Sequence, residues 1–158
     1  MSSTQAIRPT PLQQLSTGHV GLSVTSLDRS RDFYVAVLGL DVMGEGGENS
    51  RKFAFLGREG RLLVTLWEQA DAAFDGTRAG LHHLSFQVET IEEVEAVEAT
   101  VKDLGATLSY DGVVPHGEGL QSGGIFFEDP DGTRLEVYAP TGASGAAPHA
   151  DAPTCGFF

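Results

Sequence analysis

One cysteine, Cys155, stands in the whole chain, so no internal disulfide can form; this fits a reducing compartment. No apolar run approaches the ~20 residues needed to span a bilayer, which excludes a membrane-spanning helix. Basic residues are scarce: 10 against 22 acidic ones leave a formal net charge of −12. That balance repels phosphate backbones and anionic lipid surfaces, so neither nucleic acid nor membrane is expected as a partner. Much of the acidity falls between Glu89 and Glu98 and reads as a solvated helix face. Met1 to Ser16 has Arg8 as its one base and no apolar stretch, so no secretory signal is expected and the cytoplasm is the expected location.

The 158 residues suit a single domain with a real core. Two internal matches organise it. Gly18-His-Val-Gly-Leu-Ser-Val24 aligns with His82-His-Leu-Ser-Phe-Gln-Val88 at an offset of 64, which places His19 over His83. Phe53 to Val64 aligns with Ile125 to Glu136 at an offset of 72, so the second module is expected to be longer by eight residues. The domain is expected over residues 17–140, after an N-terminal extension at 1–16. Module one covers about 17–69 and module two about 81–140. The segment 141–158 is rich in Ala, Gly and Pro and is expected to be a flexible tail without regular structure. Its terminal pair, Phe157 and Phe158, has two readings: a disordered terminus, or weak docking against a dimer groove or the mouth of the site.

Each module repeats one order of signals. An alternating strand comes first, with Val20, Leu22 and Val24 on one side and His19, Gly21 and Ser23 on the other. A helix follows at about Leu27 to Leu38, ended by Gly39; in module two Thr90 and Glu93 form a capping box and Gly105 closes the helix. Period-two patterns then return, and Asp129-Pro-Asp-Gly132 suits a type I turn. Strand, helix and three strands, twice, make an α+β protein of two βαβββ modules. Each sheet has helices on one face, and the two free faces can pair into a cup lined by small and polar groups.

Parity carried through the last strand puts Arg134, Glu136 and Tyr138 in the cup. A carboxylate there is costly to bury unless it is paired or bound to a cation, and His19 and His83 face the same space. Two neutral imidazoles and one carboxylate with open positions suit iron(II) and related divalent ions.

These residues carry a resemblance. Gly18 to Val24, Asp32-Phe-Tyr-Val-Ala-Val-Leu-Gly-Leu40, Leu81-His-His-Leu84 and Asp129 to Glu136 resemble the vicinal-oxygen-chelate superfamily, which includes glyoxalases, epimerases, extradiol dioxygenases, fosfomycin-resistance enzymes and bleomycin-binding proteins. The resemblance implies a metal held by His19, His83 and Glu136, with Fe(II) favoured and Mn, Ni, Co or Zn as alternatives. It also implies a small oxygen-chelating substrate and a homodimer. Glyoxalases and epimerases place a fourth ligand where the alignment puts Val64, so a three-ligand, extradiol-type dioxygenase is favoured over isomerase or lyase chemistry. A protein that merely sequesters a small molecule is the third reading. Extradiol enzymes also place a Tyr where Phe126 stands and an acid–base His in the region of Glu68.

Three residues are candidates for proton transfer: His116 in a Gly-rich loop, Tyr138 two residues beyond Glu136, and Glu68, whose parity with Val64 points it to the rim. Phe126, Val64, Ser85 and Arg134 are the expected substrate-lining residues. His82 is expected to point away from His83 and has no assigned role.

Overall fold

The computed structural model describes residues 9–156. Its elements run β1 (Val20–Val24), α1 (Leu27–Leu38), β2 (Asp41–Gly46), a 3-10 turn (Asn49–Arg51), β3 (Phe53–Arg58), β4 (Arg61–Glu68), β5 (Leu84–Gln87), α2 (Ile91–Asp103), β6 (Val114–Pro115), β7 (Gly123–Glu128), β8 (Arg134–Ala139) and a 3-10 turn at Thr154–Gly156. The sheets have the orders β1-β4-β3-β2 and β5-β8-β7-β6. In each, the first strand lies parallel to the last and the remaining pairs are antiparallel. This is the α+β pair of βαβββ modules expected from the repeat.

Local chemistry explains the helix limits. Gly39 adopts the left-handed conformation, φ 60°, that ends α1 without a Cβ clash. The capping box on α2 forms as read: Thr90 accepts from the Glu93 backbone N–H, and the Glu93 carboxylate accepts from the Thr90 N–H. At α1 the capping residue Ser26 makes no side-chain capping bond. The Glu68 carboxylate, at the end of β4, instead accepts from the Leu27 N–H at 2.7 Å.

One core unites the modules. Leu22, Val24, Ala54, Leu56, Val64 and Leu66 from the first sheet join Ile125, Phe127, Leu135 and Val137 from the second, around Phe33, Tyr34, Val37, Val94 and Val101 of the helices. Burying each such side chain contributes about 1.5–3 kcal/mol. Helix α1 packs on β3 and β4, α2 packs on β7 and β8, and the two helices touch. Phe33 meets Phe127 with ring centroids 6.4 Å apart, and the Tyr34 hydroxyl donates to Asp129 Oδ2 at 2.8 Å. Thr25 and Arg29 both donate to Asp131, which ties the start of α1 to the turn before β8. Within one chain the modules therefore join through their helix-bearing sides, and the helix-free faces of both sheets carry exposed residues, Gly21 and Ser23 on the first and Ser85 and Gln87 on the second.

The register corrects the internal alignment by one residue. Val20 lies beside Val64 and Leu84 beside Leu135, so the last strands correspond at an offset of 71 rather than 72. The second module is longer by seven residues, not eight. The offset of 72 sets Gly60 over Gly132, but the two glycines do different jobs. Glu59 and Gly60 form a two-residue hairpin turn, both at positive φ, whereas Gly132 donates to Asp129 O within a loop that Asp129 holds with its own carboxylate.

Segment 141–158 also departs from expectation over its described part. It carries the turn at Thr154–Gly156, and Thr154 is fully buried, donating from Oγ1 to Pro115 O at 2.6 Å. Phe157 and Phe158 lie outside the described residues.

Candidate metal centre

A one-residue slip in a strand exchanges its faces. In β4, Val64, Leu66 and Glu68 lie beside Val20, Leu22 and Val24 and so face the helices. Val64 is a fully buried core residue. Its expected place in the cup is corrected, as is that of Glu68, whose carboxylate caps α1. The residue that corresponds to Glu136 in module one is Thr65, beside Gly21 as Glu136 is beside Ser85. Thr65 Oγ1 accepts from the Trp67 indole N–H at 3.0 Å.

The outward face of the second sheet assembles most of the remaining candidates. Glu136, only 3% exposed, has an imidazole at each oxygen: His116 Nε2 lies 2.5 Å from Oε1 and His83 Nε2 3.5 Å from Oε2. No lysine or arginine pairs with Glu136 among the described residues. Burial lowers the His83 pKa, His82 and Arg134 add to this, and Glu136 opposes it. The balance favours the neutral imidazole, the form that ligates a metal. His82 Nδ1 is 2.8 Å from His83 Nδ1.

His116 is held at several points: its backbone N–H donates to Ser122 O at 2.9 Å, and its Nδ1 lies 3.0 Å from Ser122 Oγ. Its ring is 5.0 Å from that of Tyr138, whose hydroxyl donates to Gln87 Oε1 at 2.8 Å. Phe126 is opposite Glu136 across the β7–β8 ladder and fully buried, with the Tyr110 ring edge-on at 5.5 Å. Ser85 is exposed beside Glu136, and Arg134 is half-buried near Gly76, where any Cβ would come within 2.9 Å of its guanidinium.

His19 is exposed immediately before β1. It is on the other sheet, and among the described residues no three His, Cys, Asp or Glu side chains gather as a metal-holding group. The structure thus brings His83, Glu136, His116 and Tyr138 together, but not His19 with them in one chain. Sequence reading missed Ser122 and Tyr110. It also missed three aromatic residues on the outward face of module one: Phe53, Phe55 and Trp67, with centroids 5.1–6.0 Å apart. Alternation along β3 and β4 was the available signal. Trp67 is 41% exposed, unusual for so large a ring unless something covers it.

The sequence model of the Glyoxalase/Bleomycin resistance protein/Dioxygenase superfamily matches residues 16–137, and the chain belongs to that superfamily. Catechol-2,3-dioxygenase of Bacillus subtilis (strain 168) is 26% identical over 125 residues, which is 77% of this chain and 40% of that protein; the chain thus spans well under half of that relative. A glyoxylase/bleomycin resistance protein/dioxygenase domain from Frankia sp. EAN1pec superposes with a TM-score of 0.69 at 26% identity, covering 81% of this chain and 99% of that one. The fosfomycin resistance protein FosX of Listeria monocytogenes, solved with Mn(II) and sulfate, shares the fold at 22% identity and a TM-score of 0.58, covering 82% and 94%.

Proposed function

We propose that the protein is a divalent-metal-dependent enzyme of the vicinal-oxygen-chelate type, active as a cytoplasmic homodimer and directed to extradiol-type oxygenation of a small aromatic diol. The observation that carries this reading is the placement of His83 and Glu136 side by side on an outward sheet face while Thr65, not a carboxylate, holds the matching position in module one. A separation of 3.5 Å between His83 Nε2 and Glu136 Oε2 fits two neighbouring ligands of one ion. The third, His19, is then supplied by the outward face of a second copy. That pairing would also cover Phe53, Phe55 and Trp67 and turn them toward the metal as an aromatic wall. The likeness to catechol-2,3-dioxygenase supports the substrate class.

Bound by two imidazoles and a carboxylate, a metal such as Fe(II) supplies Lewis acidity and open positions for adjacent substrate oxygens. The protein groups divide the remaining work. Burial keeps His83 neutral, and Glu136 contributes the negative charge. His116 and Tyr138 present the protic groups of the site, with His116 Nε2 set 2.5 Å from Glu136 Oε1.

The test is elemental analysis of the purified protein followed by oxygen uptake on a panel of small catechols. Bound metal, a spectral change on anaerobic addition of catechol and a yellow product in air are expected. Bound metal without oxygen consumption, together with turnover of a hemithioacetal, 2-oxo acid or epoxide, would move the enzyme to isomerase or lyase chemistry. Absence of metal alongside tight small-molecule binding would make it a sequestering protein.

A further inference from the structure

The loop that carries His116 joins its own sheet through a short edge strand, extended by the His116 N–H bond to Ser122 O. Strand β6 is two residues long and lies at the sheet edge, and Pro115 has no N–H to give to a ladder. The carbonyls of Pro115 and His116 are met by the C-terminal segment. Thr154 Oγ1 donates to Pro115 O at 2.6 Å and the Thr154 N–H donates to His116 O at 3.0 Å. Thr154 is fully buried although the residues on both sides of it, Pro153 and Cys155, are not. The approach to it is tied along the way: Ala143 N–H donates to Gln121 O at 2.9 Å and Ala147 N–H to Glu118 Oε2 at 3.2 Å. Gly123 leaves room for this passage, since a Cβ there would lie 2.6 Å from that of Ala143.

We propose that Thr154 is a positioning residue: by closing the open edge of β6 it fixes the backbone at Pro115–His116 and so holds the His116 imidazole against Glu136. A hydroxyl is required because a valine of the same shape would leave the Pro115 carbonyl without this bond. The consequence for metal binding rests on the reading of Glu136 as a ligand; the ordering of His116 does not. A carboxylate oriented through its other oxygen is a better ligand than a free one, so the effect reaches the metal without Thr154 touching it.

The experiment compares Thr154→Val and Thr154→Ser with the unaltered full-length protein. In the metal-free protein, amide exchange at His116 and the 15N shift of its Nε2 at one fixed pH report on the loop. Thr154→Val is expected to accelerate exchange by about five- to tenfold, the loss of one buried hydrogen bond, and to move the Nε2 signal. Thr154→Ser is expected to restore both. The dissociation constant for Mn(II), measured by competition, is expected to rise several-fold in Thr154→Val and to return in Thr154→Ser. Unchanged exchange in Thr154→Val would overturn the proposal, as would faster exchange with an unmoved Nε2 signal, which would make Thr154 merely structural. If the unaltered protein binds neither Mn(II) nor Fe(II), the metal reading fails while the exchange data still decide the role of Thr154.

Discussion

The Tyr34 hydroxyl, on α1 of the first module, donates to the Asp129 carboxylate, in the turn before β8 of the second, and both groups are buried. The opposite carboxylate oxygen accepts from the backbone N–H groups of Asp131 and Thr133. One acid therefore organises the turn leading to Glu136 and locks it to the other module. Burial raises the Asp129 pKa, while the Tyr34 bond and the two N–H groups pull it down.

Tyr34→Phe should cost about 1–3 kcal/mol of stability, because it leaves a buried carboxylate oxygen without a donor. The sign with pH follows from the same bond. It favours the charged form, so its stabilisation is full at neutral pH and is lost as pH falls through the raised pKa of Asp129, above the ordinary 3.8. Denaturant melts at several pH values check this: the gap between the two proteins should narrow on acidification. A gap that widens would contradict it.

Glu68→Ala should lower stability by about 0.5–2 kcal/mol, the usual loss on removing a helix cap, with turnover per folded molecule unchanged. The Leu27 N–H would lose its acceptor, while nothing on the outward face would move. Thermal melts and steady-state rates on the same samples separate the two effects. A large fall in kcat with an unchanged melting point would return Glu68 to acid–base chemistry.

Val64→Thr offers a test of the register itself. Val64 is fully buried among apolar neighbours, so a hydroxyl placed there without a partner should cost about 1–3 kcal/mol. Metal content should not change. If Val64 instead faced the site, stability would hold and metal binding or KM would respond.

The fold was legible because its signals are local and repeated: helix limits at Gly39 and in the Thr90–Glu93 box, and strands from alternation on both sides of His19 and His83. The Asp129–Gly132 turn formed as read, with Gly132 N–H donating to Asp129 O at 3.0 Å. Face assignment in β4 failed because periodicity gives two opposite parities and only the pairing partner selects one. The ungapped match at an offset of 72 corresponds to the wrong one. Glu68 was misplaced for the same reason, and its capping bond to Leu27 spans 41 positions of sequence, beyond any local pattern. The contacts of Thr154 were invisible for a related reason: a segment of Ala, Gly and Pro has no periodicity, yet one buried threonine suffices to dock it. Whether the sheets meet through helices or through open faces is a matter of packing between modules, which neither module encodes alone.

The outward placement of both open faces makes a prediction about subunits. His19→Ala, His83→Ala and Glu136→Ala should each abolish tight metal binding and, compared with the metal-free unaltered protein, leave the melting point nearly unchanged, since the helix-facing core is untouched. If one copy supplies His19 and the other supplies His83 and Glu136, the defects complement. In a dimer formed from one His19→Ala chain and one Glu136→Ala chain, one site carries both changes and the other carries none. Random reassociation of equal amounts makes half of the dimers mixed, so about a quarter of the original sites should return. Were all three ligands drawn from a single chain, every site in the mixture would carry one change and no metal would be recovered. Elemental analysis of the mixture, after unfolding and joint refolding, distinguishes the two arrangements without any knowledge of the substrate.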